Sequence, residues 1–147
     1  MIPQLAQATD VAAIAQTEHH ADPRGWSEAQ VRSHLGHPCA DSTVVHIEGT
    51  ARAHLLALCV ADEAEVVTIA VHPQFRRQGL AQALLRDAMA RWQHAGVQRV
   101  FLEVRTDNAA AIALYGALQF THVGRRPGYY RDGCDAVVMA RPLSPSP

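Results

Sequence analysis

Apolar residues recur along the chain in two rhythms, and the elements begin and end where the rhythm changes. From residue 80 to 95, Leu80, Leu84, Leu85, Ala88, Met89 and Trp92 fall on one face of a 3.6-residue period, which predicts a long amphipathic helix stopped by Gly96. The apolar run Val66-Val67-Thr68-Ile69-Ala70-Val71 before it predicts a strand, and Val100 to Arg105 after it predicts a second, buried one. Upstream, Thr9 or Asp10 can cap a first helix reaching about His20, broken by Asp22-Pro23-Arg24-Gly25. Ser27 and Gln30 have capping-box spacing, so a short second helix starts there and stops near Gly36-His37-Pro38. Thr43 to Glu48 and Ala53 to Ala61 predict an antiparallel pair around a Glu48-Gly49 turn. Asn108 can cap a helix from Ala109 to about Leu118. Phe120 to Gly124 and Ala136 to Ala140 predict a closing antiparallel pair around a Tyr- and Gly-rich loop. These elements predict an α+β or mixed α/β domain: a mostly antiparallel sheet flanked by helices, with one β-α-β crossover at its centre.

With 147 residues, 48% of them hydrophobic, the chain suits one compact domain, here expected over residues 1–142, with 143–147 as a short flexible tail. A net charge of −1 without a basic stripe argues against nucleic acid as a partner. No apolar stretch approaches the ~18 residues of a membrane span, and Met1-Ile2-Pro3-Gln4 does not open a secretory signal. Cys39, Cys59 and Cys134 are odd in number and scattered, which argues against a disulfide framework and for a reducing, cytoplasmic setting.

Candidate chemistry concentrates in the middle of the chain. Arg76-Arg77-Gln78-Gly79-Leu80-Ala81-Gln82 joins a strand to a helix through a glycine turn. Free N–H groups at a helix start, the helix dipole and two arginines together suit a phosphate-bearing cofactor. The competing reading is a solvated Arg-rich loop. Neither G-x-x-x-x-G-K-[ST] nor G-x-G-x-x-G is present, so the common nucleotide loops do not apply. In Phe101-Leu102-Glu103-Val104-Arg105, alternation puts Glu103 and Arg105 on one face of a strand expected to be covered on both sides. A carboxylate there either pairs with Arg105 or the backbone, or faces a wet cleft as a general base. Tyr115, sharing a helix face with Ile112, is either a core aromatic or a proton donor.

Arg76, Gly79 and Ala81 occupy the fixed positions of Q/R-x-x-G-x-G/A, the acetyl-CoA signature of the GNAT N-acetyltransferases, and the chain resembles that family. Leu102-Glu103-Val104-Arg105 followed by Asn-Ala-Ala-Ala-Ile-Ala-Leu-Tyr (108–115) is similar to the RimI-type enzymes, which acetylate the N-terminal alanine of a small-subunit ribosomal protein. Trp26-Ser27-Glu28, Asp62-Glu63-Ala64, Ile69-Ala70-Val71, Tyr129-Tyr130 and Asp135-Ala136 follow in that family's order, so the resemblance runs from about residue 5 to 142. It implies a GNAT fold, acetyl-CoA as cosubstrate without a metal, and a peptide or protein N-terminus as acceptor, on a monomer or weak dimer. It also implies that Glu103 takes a proton and Tyr115 gives one. Ile69, Ala70 and Val71 would pair with the pantetheine arm. Amides from Arg77 through Gln78, Gly79, Leu80, Ala81 and Gln82 would cradle the pyrophosphate, and Asn108 would add a contact. The chain departs from the family at Gln119, where glycine is usual in L-G-F, at Gly128, where asparagine is frequent, and at Arg131, where proline is common. The last two fall in the loop expected to shape the acceptor site.

Other candidates carry less. His34, His37 and Cys39, or His19 and His20, lack a fourth partner for zinc. Cys134 has no histidine fixed beside it by sequence, and Trp26 serves equally as a groove wall or as a staple for the second helix. Two alternative functions remain: a GNAT enzyme acting on a lysine side chain or small amine, and a non-catalytic acyl-CoA-binding domain.

Overall fold

The computed structural model describes residues 2–144. The elements are β1 (Gln4–Leu5), α1 (Val11–Ala21), α2 (Glu28–Leu35), β2 (Thr43–Ile47), β3 (Thr50–Val60), β4 (Glu63–Val71), α3 (Leu80–His94), β5 (Arg99–Arg105), α4 (Ala109–Ala117), β6 (Thr121–Arg126) and β7 (Ala136–Pro142). The strands form one seven-stranded sheet in the order β1-β2-β3-β4-β5-β7-β6. Every pairing is antiparallel except β4 with β5, which α3 joins as a crossover.

Two apolar layers cover the two faces of the sheet. On one, Leu80, Leu84, Leu85, Ala88, Met89 and Trp92 of α3 pack against Leu55, Ala57, Ala64, Val66, Leu102 and Val104, together with Tyr115 and Leu118 from the α4 segment. The stripe read from the sequence is thus the buried face of α3, residue for residue. On the other face, Val11, Ile14 and Ala15 of α1 and Val31 of α2 pack on Val44, Ala51 and Leu56.

The helix starts follow local chemistry. The Ser27 hydroxyl accepts from Gln30 N–H at 3.2 Å, and the Gln30 side chain accepts from Ser27 N–H at 2.8 Å, closing the predicted capping box. Asn108 Oδ1 accepts from Ala111 N–H at 3.1 Å and starts α4. The first helix departs from expectation. A 3-10 turn, Ala8–Asp10, precedes it, and the Asp10 carboxylate accepts from Gln7 N–H in a capping box at that turn and from His46, while making no cap bond to α1 itself. The Glu48-Gly49 turn has φ of 53° and 82°, the doubly left-handed form that suits a two-residue hairpin.

Two boundaries are corrected. β1 was not expected, because two residues carry no readable period; its pairing to β2 defines it. The tail does not begin at residue 143: Pro142 ends β7, and Leu143 is buried with its N–H donating to Gln98 O at 2.8 Å. Residues 145–147 of the expected tail lie outside the described ones. Among the described residues no helix is long and apolar enough to cross a membrane.

Candidate active site

The site is built where the parallel pair comes apart. β4 pairs with β5 from Glu63↔Arg99 to Val66↔Leu102 and no further. There the β3–β4 register also shifts, leaving Val67 as an extra residue between Val66, opposite Ala57, and Thr68, opposite Leu56. This bulge reverses the phase of the strand. Ile69 and Val71 now pack on the α3 layer, while Thr68 joins the face that α1 covers. From 67 to 71, β4 is laddered on its β3 side only, so its opposite edge offers free backbone groups to the gap.

A cleft of about 420 Å³ opens on one side of this gap, lined by Ile69, Ala70, Val71, Arg76, Arg77, Gly79, Leu80, Ala81, Gln82 and Asn108, with Ala111 and Tyr115. All the residues expected at the cofactor are brought together here except Gln78, which is exposed and does not line the cleft. α3 has no side-chain cap, so the N–H groups of Gly79, Leu80, Ala81 and Gln82 lack intrahelical partners and point out of the helix start. Gly79 has φ +75°, and a Cβ there would meet nothing within 4 Å. The glycine is therefore required by backbone conformation, and the space before it is open. Arg77, at φ 64°, is a non-glycine residue in the same left-handed region, at a cost of about 1–2 kcal/mol. The Arg76 side chain turns back, its Nε donating to Val71 O at 3.3 Å, which ties the turn to the end of β4.

A second cleft of about 390 Å³ opens from the other face, lined by Glu18, Asp22, Arg24, Trp26, Thr68, Glu103, Arg105 and Tyr130 among others. Ile69, Asn108, Ala111 and Tyr115 line both clefts, so the two meet at these residues. Burial pushes the Tyr115 phenol up to about 12, so it holds its proton at neutral pH. The Glu103 side chain is 14% exposed; Oε1 pairs with Arg126 Nε at 3.2 Å. Oε2 is buried. The Tyr129 hydroxyl lies close enough that a hydrogen bond to the Glu103 carboxylate, with burial, pushes the phenol up to about 12, and Glu103 as a residue lines the acceptor-side cleft. The simple Glu103–Arg105 pair does not form. Arg105 instead holds Asp107 at 3.0 Å and Asp132 at 2.6 Å and lies over the Tyr130 ring. Glu65, on the neighbouring strand, has its pKa raised by burial and then by the Glu103 charge.

Two of the three departures from the family pattern have a common physical basis. Gln119 has φ 71° just past α4, the left-handed position where glycine is natural. Gly128 has φ 59°, a region glycine and asparagine share.

A buried group on the acceptor side carries no sequence motif. Glu18 Oε1 accepts from His54 Nε2 and from Thr68 Oγ1, both at 2.7 Å. Burial alone would raise the Glu18 pKa, but the His54 bond and charge and then the Thr68 hydroxyl hold it below the ordinary value. The signal was available: Glu18 continues the stripe Val11, Ile14, Ala15 of α1, so a carboxylate sits where the period calls for an apolar residue. Of the histidines weighed as metal ligands, His34 is buried and His37 exposed. His34 reaches Ser42 Oγ at 3.2 Å and packs edge-on against Trp26, and His37 accepts from Cys39 N–H. Trp26 thus takes both of its expected roles, lining the cleft and bracing α2.

Comparison with known proteins bears on this geometry. Residues 8–120 match the family model described as the acetyltransferase (GNAT) family. A relative from Escherichia coli K12, named ribosomal protein bS18-alanine N-acetyltransferase, is 38% identical over 141 residues, spanning 94% of this chain and 95% of its own. An N-alpha-acetyltransferase from Saccharolobus solfataricus is 47% identical over 79 residues, 53% of this chain and 47% of that protein. The crystal structure of the ribosomal-protein-S18-alanine N-acetyltransferase from Escherichia coli is similar with a TM-score of 0.90 and 36% identity, covering 99% of this chain and 95% of that one.

Proposed function

The chain belongs to the GNAT acetyltransferase family, and on that premise we propose that it moves the acetyl group of acetyl-CoA to the α-amine of an N-terminal alanine, on a ribosomal protein or a similar peptide. The observation that carries this reading is the meeting of two clefts at Tyr115, with the Glu103 carboxylate lining one and the uncapped start of α3 lining the other.

Acetyl-CoA supplies an acyl carbon activated as a thioester. The residues present fit it. The N–H groups of Gly79 to Gln82, with Arg77, would hold the phosphates, and the open edge at Ile69–Val71 would pair with the pantetheine amides. Asn108, which lines the same cleft, would add a contact. On the acceptor side, the Glu103 carboxylate takes the proton that the amine must lose. An α-amine with pKa near ~8 is roughly 10% free at pH 7, whereas lysine near ~10.4 is well under 0.1% free, so one carboxylate suffices for an N-terminus more readily than for lysine. An amide of the 69–71 edge faces the charge that develops on the acyl oxygen. Tyr115, protonated at neutral pH, gives a proton to the departing thiolate. A domain that only bound an acyl-CoA would use neither Glu103 nor Tyr115.

The test is thiol release from acetyl-CoA with an alanine-initiated peptide, comparing the protein with its Glu103→Gln variant. The variant should lose at least about 10²-fold in rate, at the lower end of general-base contributions, while binding acetyl-CoA normally. Equal rates would remove Glu103 from the reaction.

A further inference from the structure

We propose that Glu18 is a positioning residue for acetyl transfer, acting through the Thr68 hydroxyl to fix the direction in which the open edge of β4 presents its amides. The inference rests on the transferase reading above.

Three elements converge on one carboxylate oxygen. Glu18 lies on α1, His54 on β3 and Thr68 on β4, and both side chains donate to Glu18 Oε1 at 2.7 Å. His54 is 1% exposed and Glu18 7% exposed, so the group is built into the protein, not laid on its surface. Its place in the fold is the argument. Val67 is the extra residue of the bulge, and Thr68 is the first residue after it. Beyond Val66 the β5 ladder has ended, so no backbone pairing on that side holds β4 against rotation about its own axis. Val67, Ile69, Ala70 and Val71 have apolar side chains, so Thr68 carries the one polar side chain in the unpaired stretch. Its bond to Glu18 therefore gives the segment a directional tie, from the face opposite α3. His54 keeps the tie in place: it pairs across the ladder with Ala70, two residues beyond Thr68, and donates to the same oxygen. A hydroxyl gripping a carboxylate forms a strong, short hydrogen bond with little angular freedom. Rotation of the strand by a small angle would swing the 69–71 amides away from the acyl oxygen and the pantetheine. A misplacement of about 1 Å from a residue outside the chemistry can cost ~10²-fold in rate.

The alternative use of Glu18 is direct: its charge could attract the acceptor's ammonium, since it lines that cleft. The two roles separate by substitution. Thr68→Val removes only the hydroxyl, and Glu18→Met removes the acceptor but keeps the bulk. Glu18→Gln removes the charge and keeps an oxygen that can accept from Thr68. With saturating acetyl-CoA and an alanine-initiated peptide, Thr68→Val should lower kcat by at least about tenfold with a melting temperature near that of the parent. Glu18→Met should lower kcat similarly, and the double variant should lose little beyond the larger single loss, because both act through one bond. Glu18→Gln should recover most of the lost kcat with an unchanged peptide KM. Three results would overturn the inference: parental kcat in Thr68→Val, multiplying losses in the double variant, or a Glu18→Gln as slow as Glu18→Met with a raised peptide KM. Should Glu18→Met fail to fold, Thr68→Val decides alone. A parent protein that transfers no acetyl would overturn the transferase reading and this inference with it; an active parent matched by Thr68→Val overturns only the inference.

Discussion

Replacing Gly79 with alanine separates what the backbone requires from what the ligand requires. Gly79 has φ +75°, and an added Cβ meets no atom within 4 Å. The apo protein therefore pays only for conformation. A left-handed alanine costs about 1–2 kcal/mol, offset by about 0.4–1 kcal/mol from the stiffer unfolded chain. The net loss is about 1 kcal/mol, a fall of roughly 2–4 °C in Tm at this size. Bound acetyl-CoA adds a second effect, because the methyl would stand between the phosphates and the N–H groups of Gly79 to Gln82. Losing one charge-assisted hydrogen bond of about 1.5–3 kcal/mol raises Kd by about 10- to 100-fold. Gly49 is the internal control: it has φ +82° with nothing within 4 Å of its Cβ position, and it sits in the β2–β3 hairpin outside both clefts. Gly79→Ala and Gly49→Ala should lose similar stability by thermal melt, while acetyl-CoA titration should show weakening in Gly79→Ala alone. Equal affinities in the two variants would refute the placement of the phosphates at this turn.

Other perturbations probe different parts of the account. Acetyl-CoA at ~100 times its Kd should add about 2.7 kcal/mol of stability, and a folded sample showing no thermal shift would contradict the cofactor assignment. Tyr115→Phe keeps the ring packed against Phe120 and should lower kcat by about 10²–10⁴-fold with near-normal acetyl-CoA binding; full activity would return Tyr115 to a packing role. Glu18 has its pKa held below the ordinary 4.5, so its contribution to stability is present above that pH and is lost as pH falls through the depressed value. Thermal melts from pH 6 down to about pH 2 should therefore decline less steeply in Glu18→Gln than in the parent. Leu84, fully buried on α3, should cost about 2–5 kcal/mol as alanine, read by chemical denaturation.

Much of the fold was legible because short-range rules govern it. The α3 stripe, the Ser27 and Asn108 caps and the alternation across Glu103 each depend on residues within a few positions of one another. The turn at 76–82 was legible for the same reason, whereas 69–71 and Asn108 entered the cofactor site only through the family resemblance; both segments line one cleft. What escaped depends on register between distant strands. The bulge at Val67 has no local signature in a run of apolar residues; only the pairing with Leu56 and Ala57 defines it. Arg105, two residues away, was one of the partners the sequence left open for Glu103; the partner is Arg126 on β6, which lies beyond β7 in the sheet, so only the strand order reveals it. Glu18 meets Thr68 from 50 positions away. A carboxylate on an apolar helix stripe and a histidine inside a strand mark each end of that group, but no sequence period links them.

The central claim is transfer to an α-amine through the paired clefts, and one competition within a single molecule tests it most directly. An alanine-initiated peptide with an internal lysine, incubated with the protein and acetyl-CoA, offers both amines at equal concentration. Fragmentation mass spectrometry should place the added acetyl on the N-terminal alanine of the peptide, and a copy with a blocked N-terminus should remain unmodified. Acetyl on the lysine of the blocked peptide, at a rate comparable to the free one, would contradict the account and assign the acceptor cleft to side-chain amines.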